Sequence, residues 1–267
     1  MDPGYSESSP STIATAQYEG TTKNLERRIA IYNYSTNPQS WFSFLSSNIG
    51  AVIGTSPKIL DIGAGTGELW KNVSLNSSVD LTLADFSAAM CTKLRTLNIH
   101  NARVDVVQCD AAKLPFEAES FDILVASHLL HHVESPAVCL VEFARVLKSG
   151  GFIFISLSRG SSYVNELLAL SLKLGRSRSA YGYSKITAET ALTELEKYFQ
   201  HIKEEVYVGD LAVPSAEPVL DYLDSLPDGV MNKLQRKMAL DIMEKEIREK
   251  GNFTVHNSRS LFIAIKP

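Results

Sequence analysis

The chain has 267 residues, of which 45% are hydrophobic and 21% charged, so it is long enough to bury the core of one elaborated domain. A formal net charge of -4 offers no overall positive field for a phosphate backbone, which disfavours nucleic-acid partners. Three widely spaced cysteines, Cys91, Cys109 and Cys139, favour free thiols in a reducing, cytoplasmic compartment over a disulfide framework, and no metal site is expected.

Residues 1–20 are rich in Ser, Thr, Pro and Gly and contain no Lys or Arg. This composition predicts a flexible N-terminal arm, and it lacks the charged start and apolar centre of a signal peptide. No run in the chain approaches the roughly 18 apolar residues that a membrane span requires, so we expect a soluble protein. Residues 21–267 are expected to form a single domain, and the pattern is compatible with a monomer or a homo-oligomer.

The predicted elements begin with a helical cover over residues 24–50, where apolar residues recur at helical spacing. Between residues 58 and 157, short apolar runs alternate with helical stretches. Such an alternation is typical of a parallel sheet that is covered on both faces. The runs predicted to be strands are Lys58–Ile62, Leu81–Asp85, Val104–Asp110, Phe121–Ser127 and Phe152–Leu157.

Two insertions follow this core, at residues 158–186 and 215–251. The apolar residues of the second insertion fall on one face of each predicted helix. This pattern indicates either core packing or an apolar roof over a substrate pocket. The remaining predicted elements are a helix over Thr187–Tyr198 and strands around Ile202–Val208 and Ser260–Lys266.

The segment from Ile59 to Trp70 is an apolar strand that runs into a glycine-rich turn and then, by prediction, into a helix. Glycines suit a backbone that adopts positive φ and approaches a ligand closely, and a ligand there would face free N–H groups at a helix N-terminus. A dinucleotide-binding turn needs a third glycine at position 68, which is Glu68. Glu68 opposes a pyrophosphate, whereas Asp61 at the strand end suits a ligand that carries positive charge.

Five motifs occur in order along the core. They are Asp61-Ile62-Gly63-Ala64-Gly65-Thr66-Gly67, Leu83-Ala84-Asp85-Phe86-Ser87 with Met90, Cys109-Asp110-Ala111 with Leu114-Pro115-Phe116, Phe121-Asp122, and Leu147-Lys148-Ser149-Gly150-Gly151. Together they resemble the motifs of class I S-adenosylmethionine-dependent methyltransferases, especially the group similar to the quinone-biosynthesis methyltransferases. The resemblance is close over residues 58–157, the expected cofactor-binding core. It implies a Rossmann-like, doubly wound α/β fold with a seven-stranded, mostly parallel sheet whose last strand is antiparallel, together with the helical cover and helical insertions on the substrate side.

The resemblance also implies roles in binding S-adenosylmethionine. Asp85 would accept hydrogen bonds from the ribose hydroxyls, and Asp110 would meet the adenine amino group. Independently of the resemblance, Asp85 closes the strand next to the glycine turn, so its carboxylate should lie beside that turn at the carboxyl edge of the sheet. The predicted cofactor-binding residues are Asp61, Gly63, Ala64, Gly65, Asp85, Phe86, Met90, Asp110, Ala111, Ser127 and His132.

Methyl transfer is an in-line displacement from an activated sulfonium, so alignment and exclusion of water matter more than a strong base. His128 follows the fourth strand with His131 and His132, and it is the candidate base for a phenol or an amine. Structural packing is the alternative for each histidine. Tyr18 is a second candidate, because N-terminal aromatic residues in similar enzymes can fold over the cofactor as a lid.

Other residues have weaker assignments. Tyr163, Tyr181 and Tyr183 lie in the first insertion, which in similar enzymes often shapes the acceptor pocket, although surface loops have the same composition. The basic pair Arg27-Arg28 has an acidic neighbour and is predicted to be a solvated face.

The predicted function is therefore transfer of a methyl group from S-adenosylmethionine to an O, N or C atom of a small-molecule acceptor in secondary or tailoring metabolism. Two alternatives remain open. An NAD-dependent oxidoreductase is disfavoured by Glu68, and a non-catalytic protein would use the fold for scaffolding or for binding a partner.

Overall fold

The structure is a computed structural model that describes residues 10–18, 20–71, 73, 75, 79–159, 166–176 and 186–267. Its centre is a seven-stranded sheet with the order β3-β2-β1-β4-β5-β9-β6. Strand β9 is antiparallel to both of its neighbours, and the other paired strands are parallel. The predicted Rossmann-like sheet with an antiparallel last strand is confirmed. The strands are β1 (Lys58–Ile62), β2 (Val79–Asp85), β3 (Ala102–Gln108), β4 (Phe121–Ser127), β5 (Leu147–Ser158), β6 (Gln200–Val208) and β9 (Ser258–Ile265).

The direction of the sheet reverses at β1. The chain runs outward from β1 to β2 and β3, and then returns to the other side of β1 with β4. In open sheets of this kind, a ligand cleft forms at the carboxyl ends of the strands, beside the point of reversal. This topology brings the ends of β1, β2 and β4 around one cleft.

Helices cover both faces of the sheet because alternate strand residues point to opposite sides. On one face, Leu60 and Leu124 pack with the helices α5 (Pro136–Val146) and α7 (Ala188–Leu195). On the other face, Ile59 packs with α3 (Trp41–Gly50) and with the last residue of α4 (Ala88–Leu94). The side chain of Ser87 caps α4 by accepting a hydrogen bond from the Met90 N–H.

Helices α1 (Pro10–Tyr18) and α2 (Lys23–Ala30) precede a 3₁₀ turn at Ile31–Tyr34. The predicted flexible arm is thus wrong for residues 10–18, which form α1 and end on a buried tyrosine. The helix forms there because its C-terminal end packs on α2 and α4, and composition alone does not reveal that contact.

The chain after the glycine turn also differs from the prediction. Residues 68–71 form turns and not the start of a helix. The following sequence, Asn72-Val73-Ser74-Leu75-Asn76, is poor in residues that favour a helix, because Ser and Asn side chains compete for backbone hydrogen bonds. A helix N-terminus is therefore not part of this turn.

The second insertion has a core of its own. It contains α8 (Glu217–Asp224) and α9 (Lys233–Lys250), which pack with α6 (Glu166–Lys173) and with a two-stranded ribbon, β7 (Leu211–Val213) and β8 (Phe253–Val255). Core packing is therefore the interpretation that holds for most of the apolar residues of α8 and α9. Leu234 and Met238 were expected on the same face but are 68% and 38% exposed, because the buried stripe of α9 follows Ala239 and Met243.

The described residues were compared with the patterns of membrane spans and of metal sites. Among the helices that the structure describes, none has both the length and the apolar composition to cross a membrane. The described residues also contain no group of three or more His, Cys, Asp or Glu side chains with the arrangement of a metal site. All three cysteines are free thiols, as predicted.

Candidate active site

The glycine turn after β1 is tightly packed. Gly63 and Gly65 have φ angles of 73° and 58°, which glycine adopts without strain. A Cβ at Gly63 would lie 2.9 Å from the Leu129 Cδ1 atom, and one at Gly65 would lie 2.9 Å from the Leu25 Cδ2 atom. The N–H groups of Gly63 and Ala64 donate to the Ala84 carbonyl at 2.8 and 3.0 Å. The expectation of free N–H groups in this turn is thus wrong at both positions.

Asp85 ends β2 beside this turn, where the spacing of the strands predicts it. Its Oδ2 accepts a hydrogen bond from the Gly65 N–H, and its Oδ1 accepts one from the Ser87 N–H, both at 2.9 Å. The residue is 6% exposed, and burial raises the pKa of its carboxyl despite these donors. A buried carboxylate is thereby held at the floor of the cleft.

Asp61 is the residue before the end of β1 and is the second buried carboxyl. Its Oδ2 accepts a hydrogen bond of 2.7 Å from the Trp70 indole. Burial, with a smaller contribution from the nearby charge of Asp85, raises the pKa of Asp61 to about 7. Neither carboxyl forms an ion pair with a cation in the described ranges. The two acids therefore favour the binding of a positively charged group beside them.

The third motif lies next to Asp85, because the Cys109 N–H donates to the Asp85 carbonyl at 3.1 Å. Asp110 is exposed, and its Oδ1 accepts a hydrogen bond from the Ala112 N–H at 2.9 Å. Ala111 is buried. The end of β2 and the third motif thus line one side of the same cleft.

Phe86 and Met90 of the second motif lie in different surroundings. Phe86 is 37% exposed, whereas Met90 is buried against Ala14 and Tyr18 of α1. Phe86 therefore keeps a partly accessible aromatic face near Asp85, while Met90 belongs to the packing beneath α1.

Tyr18, the last residue of α1, connects the N-terminal helices α1 and α2 to the cleft, and these helices together form its N-terminal cover. Its carbonyl accepts a hydrogen bond of 2.5 Å from the Ser87 hydroxyl, and its phenol oxygen accepts one of 2.7 Å from Arg28. Its ring meets that of His132 edge to face, with 5.5 Å between the centroids. Tyr18 is 8% exposed, and burial raises the pKa of its phenol. The cover thus closes on the cleft, although the role of Tyr18 as a lid stays a prediction.

Three histidines follow β4. The backbone of His128 has a φ of 52°, and its N–H donates to the Ser156 carbonyl and hydroxyl at 3.2 and 3.0 Å. The Ser156 hydroxyl also lies 3.0 Å from that of Ser127. The rings of His131 and His132 lie 4.0 Å apart, and those of His128 and His131 lie 6.1 Å apart.

Burial is the main cause that lowers the pKa of each of these histidines, to about 4 for His131 and well below the usual range for His128 and His132. All three rings are therefore neutral near pH 7. The Nε2 of His128 and the Nδ1 of His131 are buried and have no hydrogen-bond partner among the residues that the structure describes.

Several site residues were missed or misassigned from the sequence. Arg28 is not on a solvated face, because it contacts Tyr18 and donates to the Ser225 carbonyl at 3.1 Å. Arg259 and Trp41 lie beside His128 and were not proposed as site residues. A charged residue within the otherwise uncharged strand Ser258–Ile265 was the signal that could have identified Arg259. Tyr163, Tyr181 and Tyr183 lie outside the described residues.

A family model described as a methyltransferase domain matches residues 60–155, the part of the chain that contains this turn, both buried acids and the three histidines. Residues 60–155 are thus similar to a methyltransferase domain. Over 119 residues, the chain is 37% identical to a demethylmenaquinone methyltransferase from Clavibacter sepedonicus, a match that covers 45% of this chain and 47% of that relative. The chain thus spans about half the length of the curated relatives that it matches.

The similarity to solved structures extends over most of the chain. The YcgJ protein from Bacillus subtilis aligns with a TM-score of 0.60 at 16% identity, covering 84% of this chain and 97% of that one. A phosphoethanolamine N-methyltransferase 2 from Haemonchus contortus, in complex with S-adenosylhomocysteine, also aligns with a TM-score of 0.60, at 17% identity, covering 97% of this chain and 60% of that one. At these identities the similarity is one of fold.

Proposed function

We propose that this protein transfers a methyl group from S-adenosylmethionine to a small-molecule acceptor. The methyltransferase domain at residues 60–155 and the methyltransferase names of the curated relatives support the reaction class. The observation that carries the proposal is the pair of buried carboxyls, Asp61 and Asp85, beside a glycine turn at the carboxyl edge of the sheet.

The residues of the cleft fit this cofactor. S-adenosylmethionine carries an ammonium and a sulfonium, and it has no phosphate. A buried carboxyl without a cationic partner is costly, so a cationic ligand near Asp61 would favour its ionised form. Asp85 has a carboxylate suited to a ribose diol, and the exposed Asp110 with the adjacent Ala111 N–H would meet the adenine. Gly63, Ala64, Gly65, Phe86, Met90, Ser127 and His132 complete the proposed set.

When bound, the cofactor supplies a methyl group on an activated sulfonium. The contribution of the chain is to align the acceptor and exclude water. Tyr18 and Leu25 close the N-terminal cover over the turn, which keeps water from the reacting atoms. His128 Nε2 is a neutral nitrogen after the carboxyl end of β4 and has no hydrogen-bond partner among the described residues, so it can accept a proton from a hydroxyl or an amine.

The acceptor is proposed to be a secondary or tailoring metabolite, methylated at O, N or C. An oxidoreductase that uses NAD is a weaker alternative, because Glu68 replaces the third glycine and pairs with Lys71 at 2.6 Å. A scaffolding protein would retain the cofactor cleft but would methylate no acceptor.

The test combines binding and turnover. Calorimetry should show that S-adenosylmethionine binds and that NAD does not. Labelled S-adenosylmethionine incubated with metabolite extract should then give a labelled product, whose identification names the acceptor. Cofactor binding without any labelled product would favour the scaffolding alternative, and no binding would overturn the proposal.

A variant pair sharpens the binding arm. Asp85→Ala removes charged hydrogen bonds worth about 1.5–3 kcal/mol, so the affinity for the cofactor should fall by roughly 10- to 150-fold. Asp80→Ala is the matched control, because Asp80 is an exposed carboxylate on the same strand. Equal affinity of the two variants would remove Asp85 from the site.

A further inference from the structure

Arg259 lies at the same edge of the sheet as the glycine turn because β9 runs against its neighbours. Ser158, the last residue of β5, pairs with Arg259, which is the second residue of β9. The start of an antiparallel strand thereby reaches the carboxyl ends of the parallel ones. Arg259 is 4% exposed, so a permanent positive charge is buried at the edge where the cleft forms.

The charge of Arg259 has no counter-charge in the described structure. Its guanidinium carbon lies 4.1 Å from the ring centroid of Tyr32 and 5.1 Å from that of Trp41. Both distances are within the range of cation–π contacts, which do not require an oxygen acceptor for the N–H groups. The described residues offer those N–H groups neither a hydrogen bond nor an ion pair. N–H groups of a guanidinium without protein acceptors are available to the acceptor oxygens of a ligand.

Arg28 extends this basic side toward the cover. Its guanidinium donates to Tyr18 and to a backbone carbonyl, while its Nε is buried without a partner in the part of the chain that the structure describes. After burial, the cation that lowers the pKa of His128 is Arg259, and the one that lowers the pKa of His131 is Arg28.

The basic side of the cleft is therefore continuous. Trp41 contacts both Arg259 and His128, with 5.5 Å between the Trp41 and His128 centroids, and His128 in turn faces His131. Its members are two arginines and neutral rings that hold unpaired nitrogens, and the described residues place no carboxylate among them. The insertion residues 160–165 and 177–185 contain no Asp or Glu in their sequence.

We propose that the acceptor carries a carboxylate and that Arg259 binds it, with Arg28 adding positive charge from the side of the cover. This inference rests on the proposed methyl transfer and names the substrate class of the same site. A guanidinium presents a planar fork of donors that matches the two oxygens of a carboxylate. The acids Asp61 and Asp85 would thus face the cationic cofactor, while the arginines would face an anionic acceptor.

Benzoate and benzamide are suitable probes because they share a shape and differ in charge. Each is titrated by calorimetry into the full chain in the presence of S-adenosylhomocysteine. Benzoate is expected to bind at least tenfold more tightly than benzamide. Arg259→Gln should weaken benzoate binding at least tenfold and abolish the preference, whereas Arg259→Lys should retain part of it.

Arg248→Gln is the matched control, since the Arg248 side chain is 69% exposed on α9, and it should leave benzoate affinity unchanged. An arginine that only holds the cover by stacking would give no preference for benzoate in the unaltered protein. Failure of benzoate to bind, or equal affinity for both probes, overturns the proposal, and this comparison decides even if the Arg259→Gln variant does not fold.

The titrations also separate this proposal from the proposed function. S-adenosylmethionine is measured in parallel on the same protein. Preference for benzoate without cofactor binding would overturn methyl transfer and keep the anion site. Cofactor binding without that preference would do the reverse.

Discussion

Asp61 and the histidines after β4 respond to burial in opposite directions. Removal from water favours the neutral form of each group, so the pKa of Asp61 rises to about 7 while that of His131 falls to about 4. The three histidine rings are therefore neutral near pH 7, and Asp61 is partly protonated there. A cationic ligand beside Asp61 would restore its negative charge, and this coupling gives the site residues a measurable pH dependence.

Asp61→Asn should make the protein without cofactor more stable at pH 8. The folded pKa of Asp61 lies above its unfolded value near 4, so its stabilising contribution is present below pH 4 and is lost as the pH rises through about 7. At ~1.4 kcal/mol per pH unit of pKa difference, the loss is on the order of 4 kcal/mol. Asparagine keeps an acceptor for the Trp70 indole. Thermal unfolding between pH 4 and 8 measures the difference.

The control for this prediction is Asp80→Asn, which removes an exposed carboxylate from the neighbouring strand. It should not change how the melting temperature varies with pH. Asp61→Asn should also weaken binding of S-adenosylmethionine, because the ionised carboxyl destabilises the fold but attracts the cationic cofactor. A lower melting temperature of Asp61→Asn at pH 8 would contradict the prediction.

His128→Asn should lower turnover without loss of cofactor binding. Asparagine tolerates the left-handed backbone at this position, where φ is 52°, so the variant removes the base and adds little strain. A general base typically contributes a factor of about 10² to 10⁴, and single-turnover transfer of labelled methyl measures the loss. His100→Asn, at an exposed position, is the control. Full activity of His128→Asn would assign this histidine to packing.

At the scale of the elements, the N-terminal helices α1 and α2, the cover of the cleft, pack around the glycine turn. Leu25 of α2 lies where a side chain at Gly65 would be, and Tyr18 of α1 is hydrogen-bonded to Ser87 at the start of α4. The turn is thus held between the sheet and the cover, and the Leu25 side chain occupies the space that a side chain at Gly65 would need.

Gly65→Ala should destabilise the protein more than Gly150→Ala. Both glycines have positive φ, 58° and 76°, so both variants incur the ~1–2 kcal/mol cost of a left-handed alanine. A Cβ at Gly150 meets no atom within 4 Å, whereas one at Gly65 must displace Leu25. Denaturant unfolding measures the excess cost, which Leu25→Ala should relieve in the double variant. Equal costs for the two glycine variants would show that the contact does not constrain α2.

The sequence predicted the elements that local pattern determines. The strands from Lys58 to Leu157 were identified because buried runs alternate with helical ones, and the position of Asp85 followed from the order of the strands. The glycine-rich pattern predicts a helix where residues 68–71 form turns, and the three-residue strands β7 and β8 are too short to produce a pattern. The contact of Leu25 with Gly65 joins distant segments, so no local pattern contains it.

At the scale of the whole molecule, the topology places acidic and basic residues on different strands around one cleft. The ends of β1 and β2 carry Asp61 and Asp85, while the antiparallel β9 brings Arg259 to the same edge from the opposite direction. A sheet with only parallel strands would place the N-terminal end of β9 at the far edge. The antiparallel last strand therefore has a chemical consequence as well as a topological one.

This arrangement predicts that the whole fold is stabilised by S-adenosylmethionine and not by NAD. A ligand at 100 times its dissociation constant stabilises the state that binds it by about 2.7 kcal/mol, which for a chain of this size raises the melting temperature by roughly 5 to 10 °C. NAD at the same concentration should leave the melting temperature unchanged, because Glu68 stands where its pyrophosphate would need a glycine. Asp85→Ala should reduce the rise in melting temperature caused by S-adenosylmethionine, since that carboxylate contributes part of the binding free energy. A larger shift with NAD would contradict the assignment of the cleft to S-adenosylmethionine, because the ligand whose charges complement those of the cleft should stabilise the fold more.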